Sequence, residues 1–120
     1  VKQLIWIGSS HEDLKDFPPR ICSAMGYALY QAQTGKRHEH AKTMSEMGNA
    51  SMQEIREKDQ TGTYRVVYTL EMKEVVFVLH AFQKKSKSGI ATPKQEIDLI
   101  KKRLQDARIL YMCLVKKGDK

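Results

Sequence analysis

Six basic side chains, Arg56, Arg65, His80, Lys84, Lys85 and Lys87, fall on segments whose patterns read as successive strands, or just past the end of one. A guanidinium grips a phosphate through two parallel charge-assisted hydrogen bonds, and an ammonium adds a point charge beside it. Brought together, these groups would hold an anion. Arg56 has another reading, an ion pair with Glu54, Glu57 or Asp59 close by in the chain. Arg65 sits in an otherwise apolar strand with fewer acids near it, which favours function. His80 interrupts an apolar run and fits either a hydrogen-bonded core histidine or an acid–base group.

Other chemistries find less support. His38-Glu39-His40 could set two ligands on one side of a strand, but no third His or Cys follows at a structural-zinc distance, so the segment reads as a solvated loop with no metal. His11, beside Glu12 and Asp13, reads as a surface residue. The sequence has no Gly-rich phosphate loop, no GxSxG and no HExxH.

The charge is polar along the chain. Residues 1–60 hold 8 Lys/Arg against 8 Asp/Glu, and residues 61–120 hold 13 against 6, so the net charge of +7 belongs to the second half. The run from Lys84 to Lys94 carries four lysines and no acid. Polyanions are natural partners of such a surface, Lys94 included; a basic loop that only aids solubility is the alternative.

These groups need a frame. Residues 2–7 suit a short first strand, broken at Gly8-Ser9-Ser10, where a serine could cap a short helix through Phe17. Pro18-Pro19 restarts the chain, and Ile21, Met25, Ala28, Leu29 and Ala32 recur at three and four to give a second helix ended by Gly35. From Ala41 the period becomes two: strands are expected at Thr43–Met47, Met52–Lys58 and Thr63–Leu70, with a Gly-containing turn at 59–62. Tyr64, Val66, Tyr68 and Leu70 share one face of their strand and Arg65 takes the other. Val75–Phe82 is apolar on both parities, as a covered central strand is. His80, Phe82 and Lys84 share one parity. Thr92-Pro93-Lys94-Gln95 reads as a capping box opening a last helix whose seam is Ile97, Ile100, Leu104, Ala107, Tyr111 and Leu114, with Lys101, Lys102 and Arg103 off it. Residues 109–115 are more apolar than one seam requires, which suggests a partner-binding tail over 109–120.

The order strand, two helices, antiparallel strands, helix makes an α+β domain, and 13.8 kDa fits a single domain over 1–120. With 41% hydrophobic residues a core is attainable and disorder is excluded for most of the length. No membrane span or signal peptide is expected, which points to a cytoplasmic protein. Cys22 and Cys113 are too far apart for a CxxC site and are expected to be buried thiols.

The segments Glu54-Ile55-Arg56, Tyr64-Arg65-Val66-Val67-Tyr68, Leu79-His80-Ala81-Phe82-Gln83-Lys84-Lys85-Ser86 and Thr92-Pro93-Lys94-Gln95-Glu96-Ile97, in that order, resemble the phage-derived HigB-like toxins of the RelE/ParE superfamily, over about residues 52–107. The resemblance implies a helical hairpin and N-terminal strand on a small antiparallel sheet, with a C-terminal helix. It also implies the toxin of a type II toxin–antitoxin system, an mRNA interferase cutting mRNA in the ribosomal A site. The partners implied are mRNA, the ribosome and a cognate helix-turn-helix antitoxin, with a homodimer left open and no cofactor. The family's basic positions fall on Arg56, Arg65, Lys84 and Lys85, then Lys87 and His80. The Tyr found after the basic segment in RelE-type sites has no clear counterpart, Tyr111 lying far along the last helix.

Metal-free RNA cleavage needs a base for the 2′-oxygen, charge stabilisation at phosphorus and an acid for the leaving oxygen. A free Lys, with a pKa of about 10.4, costs roughly 4–5 kcal/mol to neutralise at pH 7. Arg56 and Arg65 are therefore expected to stabilise transition-state charge, worth about 3–4 kcal/mol for a well-placed donor, while Lys84, Lys85 or His80 moves protons. Lys87 and Lys94 would contact RNA. If the ribosome positions the message, orientation supplies much of the rate. Two rivals stand beside this reading: a ParE-like non-catalytic gyrase inhibitor, and a basic nucleic-acid-binding module whose affinity falls steeply with salt.

Overall fold

Period-two alternation and one bulge decide how the sheet presents its side chains. The computed structural model describes residues 1–84 and 92–118. Its elements are β1 (Gln3–Trp6), α1 (Ser10–Lys15), α2 (Pro19–Gln33), β2 (Ala41–Thr43), a 3-10 turn (Ser45–Met47), β3 (Met52–Asp59), β4 (Gly62–Thr69), β5 (Val75–Lys84) and α3 (Lys94–Gly118). The sheet order is β1-β5-β4-β3-β2. β1 runs parallel to β5, and the remaining pairs are antiparallel. The architecture is α+β, and the sheet is mixed rather than wholly antiparallel.

Each face of the sheet buries its own helix stripe. Ile21, Met25, Ala28, Leu29 and Ala32 of α2 pack on Ile55, Tyr64, Val66, Tyr68, Val76 and Val78. On the other face Ile97, Ile100, Leu104 and Ala107 of α3 pack on Met52, Val67, Phe77 and Leu79. β5 is thus covered on both sides, as its unbroken apolar run requires. Full burial of one such aliphatic side chain is worth about 1.5–3 kcal/mol.

The β3–β4 hairpin closes through Gln60 and Thr61, with Asp59 opposite Gly62. Asp59 Oδ1 accepts the Thr61 N–H at 2.7 Å. Gly62 has φ 142°, a conformation that calls for glycine, and a Cβ there would also displace the Gln83 amide, whose Nε2 stands 2.7 Å away.

Several expectations are corrected. The strand expected at Thr43–Met47 is β2 over Ala41–Thr43 followed by the 3-10 turn, which Gly48 ends at φ 58°. Cys113 is exposed and Cys22 half-buried; the Cys22 thiol donates toward the Leu14 and Phe17 carbonyls. The seam of α3 leaves the body after Ala107: Tyr111 is half-buried and Leu114 exposed. Ile109 and Met112 are 62% and 64% exposed.

Candidate functional site

Arg56 lies opposite Arg65 in the β3–β4 register, and Arg65 lies opposite Phe82 in β4–β5. Three neighbouring strands therefore turn these positions to the α3 face. The same face receives Glu54, two residues before Arg56. Its carboxylate accepts Arg56 Nε on Oε1 (2.7 Å) and Arg65 Nη1 on Oε2 (3.3 Å). The two guanidinium groups stand together, and one internal acid engages both. Glu54 and Arg65 are each 2% exposed. Burying such charges is tolerable only when their hydrogen bonds are met inside.

Thr92 adds to that arrangement. Its hydroxyl accepts Arg65 Nη1 (3.2 Å) and donates to Glu54 Oε2 (3.4 Å), while its N–H donates to Glu46 Oε2 (3.0 Å). The expected capping role is thereby corrected: α3 starts at Lys94, and the Thr92 hydroxyl serves the buried charges. Burial pushes the Glu46 carboxyl up, but hydrogen bonds from Thr92 and Ser45 outweigh it and hold it below its usual value.

Lys84 ends β5 beside this group and is buried. Burial, then the Arg65 and Arg56 charges, push its pKa below the ordinary lysine value, against the pull of Glu54 and Glu46. Among the described residues, three cations (Arg56, Arg65 and Lys84) thus face two carboxylates (Glu54 and Glu46).

The bulge brings His80 to the same side. Val67 pairs with His80 but Tyr68 with Val78, so Leu79 is an extra residue. Strict alternation from Phe77 would send His80 to the α2 face; the bulge re-aims it toward α3, a common use of bulges near sites. There His80 Nε2 bonds Glu96 Oε2. Arg103 Nη1 reaches the Leu79 carbonyl (3.0 Å) and His80 Nδ1 (3.4 Å). Because a guanidinium can only donate, Nδ1 must accept and the imidazole proton sits on Nε2, facing the carboxylate. Burial lowers the His80 pKa, opposed by Glu96 and reinforced by Arg103. His80 also stacks on Phe82 (4.7 Å, 18°), the residue opposite Arg65 in the β4–β5 register.

Arg103 is the residue that sequence reasoning missed. It lies off the α3 seam as expected, yet turns inward, and its Nη2 donates to Ser9 Oγ (3.1 Å). Gly8 makes room for it: a Cβ there would stand 2.8 Å from Arg103 Nε, and the backbone holds φ 58°. Gly8-Ser9 was legible only as a strand breaker.

Of the other basic positions, Lys94 is exposed at the first residue of α3, while Lys85 and Lys87 lie outside the described residues. His11 is exposed and stacks on Trp6 at 4.3 Å. A separate group, His38, His40 and Glu57, gathers at the other side of β3 and has metal-ligating side chains.

Residues 12–105 match the family described as "Phage derived protein Gp49-like (DUF891)". The chain belongs to that family. The match runs from α1 to the buried half of α3, takes in Arg56, Arg65, His80, Lys84, Lys85, Lys87, Lys94 and Arg103, and stops short of the exposed apolar stretch 109–115. No curated protein matches this Gp49-like chain. Among solved structures it is similar to one described as the toxin–antitoxin complex RelBE2 (Rv2865-2866) from Mycobacterium tuberculosis. That likeness has 20% identity and a TM-score of 0.47, over 69% of this chain and 98% of that one. No helix of the described residues is long and apolar enough to cross a membrane.

Proposed function

We propose that this Gp49-like protein is the toxin of a type II toxin–antitoxin system and an mRNA interferase, cleaving mRNA in the ribosomal A site without a metal. The observation that carries the reading is the convergence of Arg56, Arg65 and Lys84 on one face of the sheet at the start of α3. The ordered motif resemblance and the family membership support it. Arg56, whose side chain is 35% exposed, is the guanidinium that meets the scissile phosphate, with Arg65 beneath it as buried positive charge. Lys84, its pKa lowered by burial and by both arginines, is the proton-transfer group in this reading. Both ring nitrogens of His80 are used within the protein, so in this reading it positions β5 against α3. Lys94, exposed at the start of α3, is a further RNA contact in this reading, Lys85 and Lys87 are candidates by sequence alone, and a cognate antitoxin is the neutralising partner.

One observation favours the ParE-like, non-catalytic gyrase reading: Glu54 already engages both guanidinium groups. Induction in growing cells with mapping of RNA 5′ ends separates the two. The nuclease reading expects translation arrest and new mRNA 5′ ends, lost in Arg56→Ala and Lys84→Ala. Growth arrest with trapped topoisomerase on DNA and intact mRNA would replace it with the rival.

A further inference from the structure

The turn after α2 carries His38 and His40, for which the local sequence offers no third ligand of the His or Cys type. The fold supplies a carboxylate. β2 pairs with β3 so that Ala41 faces Ile55, and the Arg56 N–H donates to the His40 carbonyl (3.2 Å), which lays the turn beside Glu57. One nitrogen of each imidazole and one Glu57 oxygen all lie within 4.8 Å of one another. His40 Nδ1 is 2.6 Å from Glu57 Oε2, and His38 Nδ1 accepts the His40 N–H (3.0 Å). The two rings meet edge to face at 5.1 Å, and Tyr27 of α2 packs its ring against His38 at 5.9 Å. Successive strand residues point opposite ways, so Glu57 faces away from the Arg56 side.

We propose that His38, His40 and Glu57 bind a borderline divalent cation, Zn²⁺ or its neighbours Co²⁺, Ni²⁺ and Cu²⁺, clipping the turn after α2 to β3. Two imidazoles and one carboxylate are a donor set these ions take with positions left for water, whereas Ca²⁺ and Mg²⁺ prefer oxygen alone. With bonds of about 2.0–2.1 Å, tetrahedral donors stand about 3.3 Å apart. The closest pair must therefore open and the widest close, by rotation of side chains that are exposed or half-exposed. The ion replaces the His40–Glu57 hydrogen bond, with the His40 proton moving to Nε2, and competes with the His40 amide for His38 Nδ1; because ligating imidazoles must be neutral, binding weakens in acid. Glu57 across the strand pair and Glu39 on the turn are the charged groups acting on His40, and both attract a cation.

The test is calorimetric titration of tag-free full-length protein with ZnCl₂, and visible absorption on adding CoCl₂. One ion per chain is expected, with Co²⁺ ligand-field bands. His38→Ala, His40→Ala and Glu57→Gln should each weaken binding about tenfold or more while far-UV circular dichroism is unchanged. Cys113 is an exposed thiol, so Cys113→Ser is the control, expected to bind like wild type. Absence of Zn²⁺ binding, binding that survives His40→Ala and Glu57→Gln, or binding lost in Cys113→Ser overturns the proposal.

Discussion

Glu54 and Arg65, on adjacent strands under α3, form a buried ion pair (3.3 Å) whose acid also holds Arg56 at 2.7 Å. The relationship fixes which guanidinium can do what. Arg65 is sealed behind the carboxylate, while Arg56 reaches solvent. An anion arriving at Arg56 competes with Glu54 for it, so the carboxylate both places the arginine and tempers its charge.

Replacing Glu54 with Gln should therefore be costly. It leaves Arg65 buried opposite a neutral amide, and breaking a buried pair from one side costs about 3–5 kcal/mol. Arg56→Ala removes a partner that is partly in water and should cost about 1 kcal/mol or less. Urea unfolding of both variants measures the difference. Equal losses would mean that Arg65 does not depend on Glu54.

Lys84→Arg separates charge from proton transfer. Arginine keeps the positive charge but cannot give up its proton near neutral pH. If Lys84 exchanges a proton, message cleavage should fall roughly 10²–10⁴-fold, the range for one positioned acid or base. RNA affinity should stay within a few-fold. In wild type, cleavage that needs the neutral amine rises with pH toward a Lys84 pKa below the ordinary lysine value. Undiminished cleavage by Lys84→Arg would restrict Lys84 to a charge role.

The two halves of α3 should respond differently to truncation. Ile100 is fully buried between helix and sheet, and Ile100→Ala should cost about 2–5 kcal/mol from lost transfer energy and the cavity left behind. Met112 lies in the exposed half, and Met112→Ala should change stability by less than about 0.5 kcal/mol. Thermal unfolding of the two variants checks this. A large loss at Met112 would indicate that this half is covered in solution.

Alternation and spacing made much of this legible. The α2 stripe, the face of β4 that carries Arg65, the shared parity of His80, Phe82 and Lys84, and the buried half of the α3 seam all follow from local periodicity. What escaped was long-range. Nothing near Arg103 in sequence announces Ser9 or His80, and nothing near Arg65 announces Thr92, whose pattern signalled a helix cap. The bulge at Leu79 has no marker in an all-apolar run. β2 was misplaced because Thr43-Met44-Ser45-Glu46-Met47 alternates like a strand, yet its second half winds into a 3-10 turn, and the Glu46 carboxylate reaches the Thr92 amide.

The His80 network should make stability depend on pH in a defined window. Burial lowers the folded-state pKa of His80 below 6.5, against the pull of Glu96. Above about pH 6.5 the imidazole is neutral in both folded and unfolded chains, and its contribution is fully present. As pH falls through 6.5 the unfolded chain takes the proton first, so stability is lost until the lower folded pKa is passed. His40 has the opposite sign: Glu57 raises its pKa, so its contribution is full below about 6.5 and is lost as pH rises through the raised value. Glu46 and Glu71, with lowered pKa values, act in a separate, more acidic window below their usual values. Melting temperatures between pH 5 and 8 should therefore fall on the acid side in wild type. His80→Gln should flatten that limb, and His40→Gln should flatten the alkaline one. An acid limb unchanged in His80→Gln would show that the imidazole is not the titrating group, whatever its place beside Glu96 and Arg103.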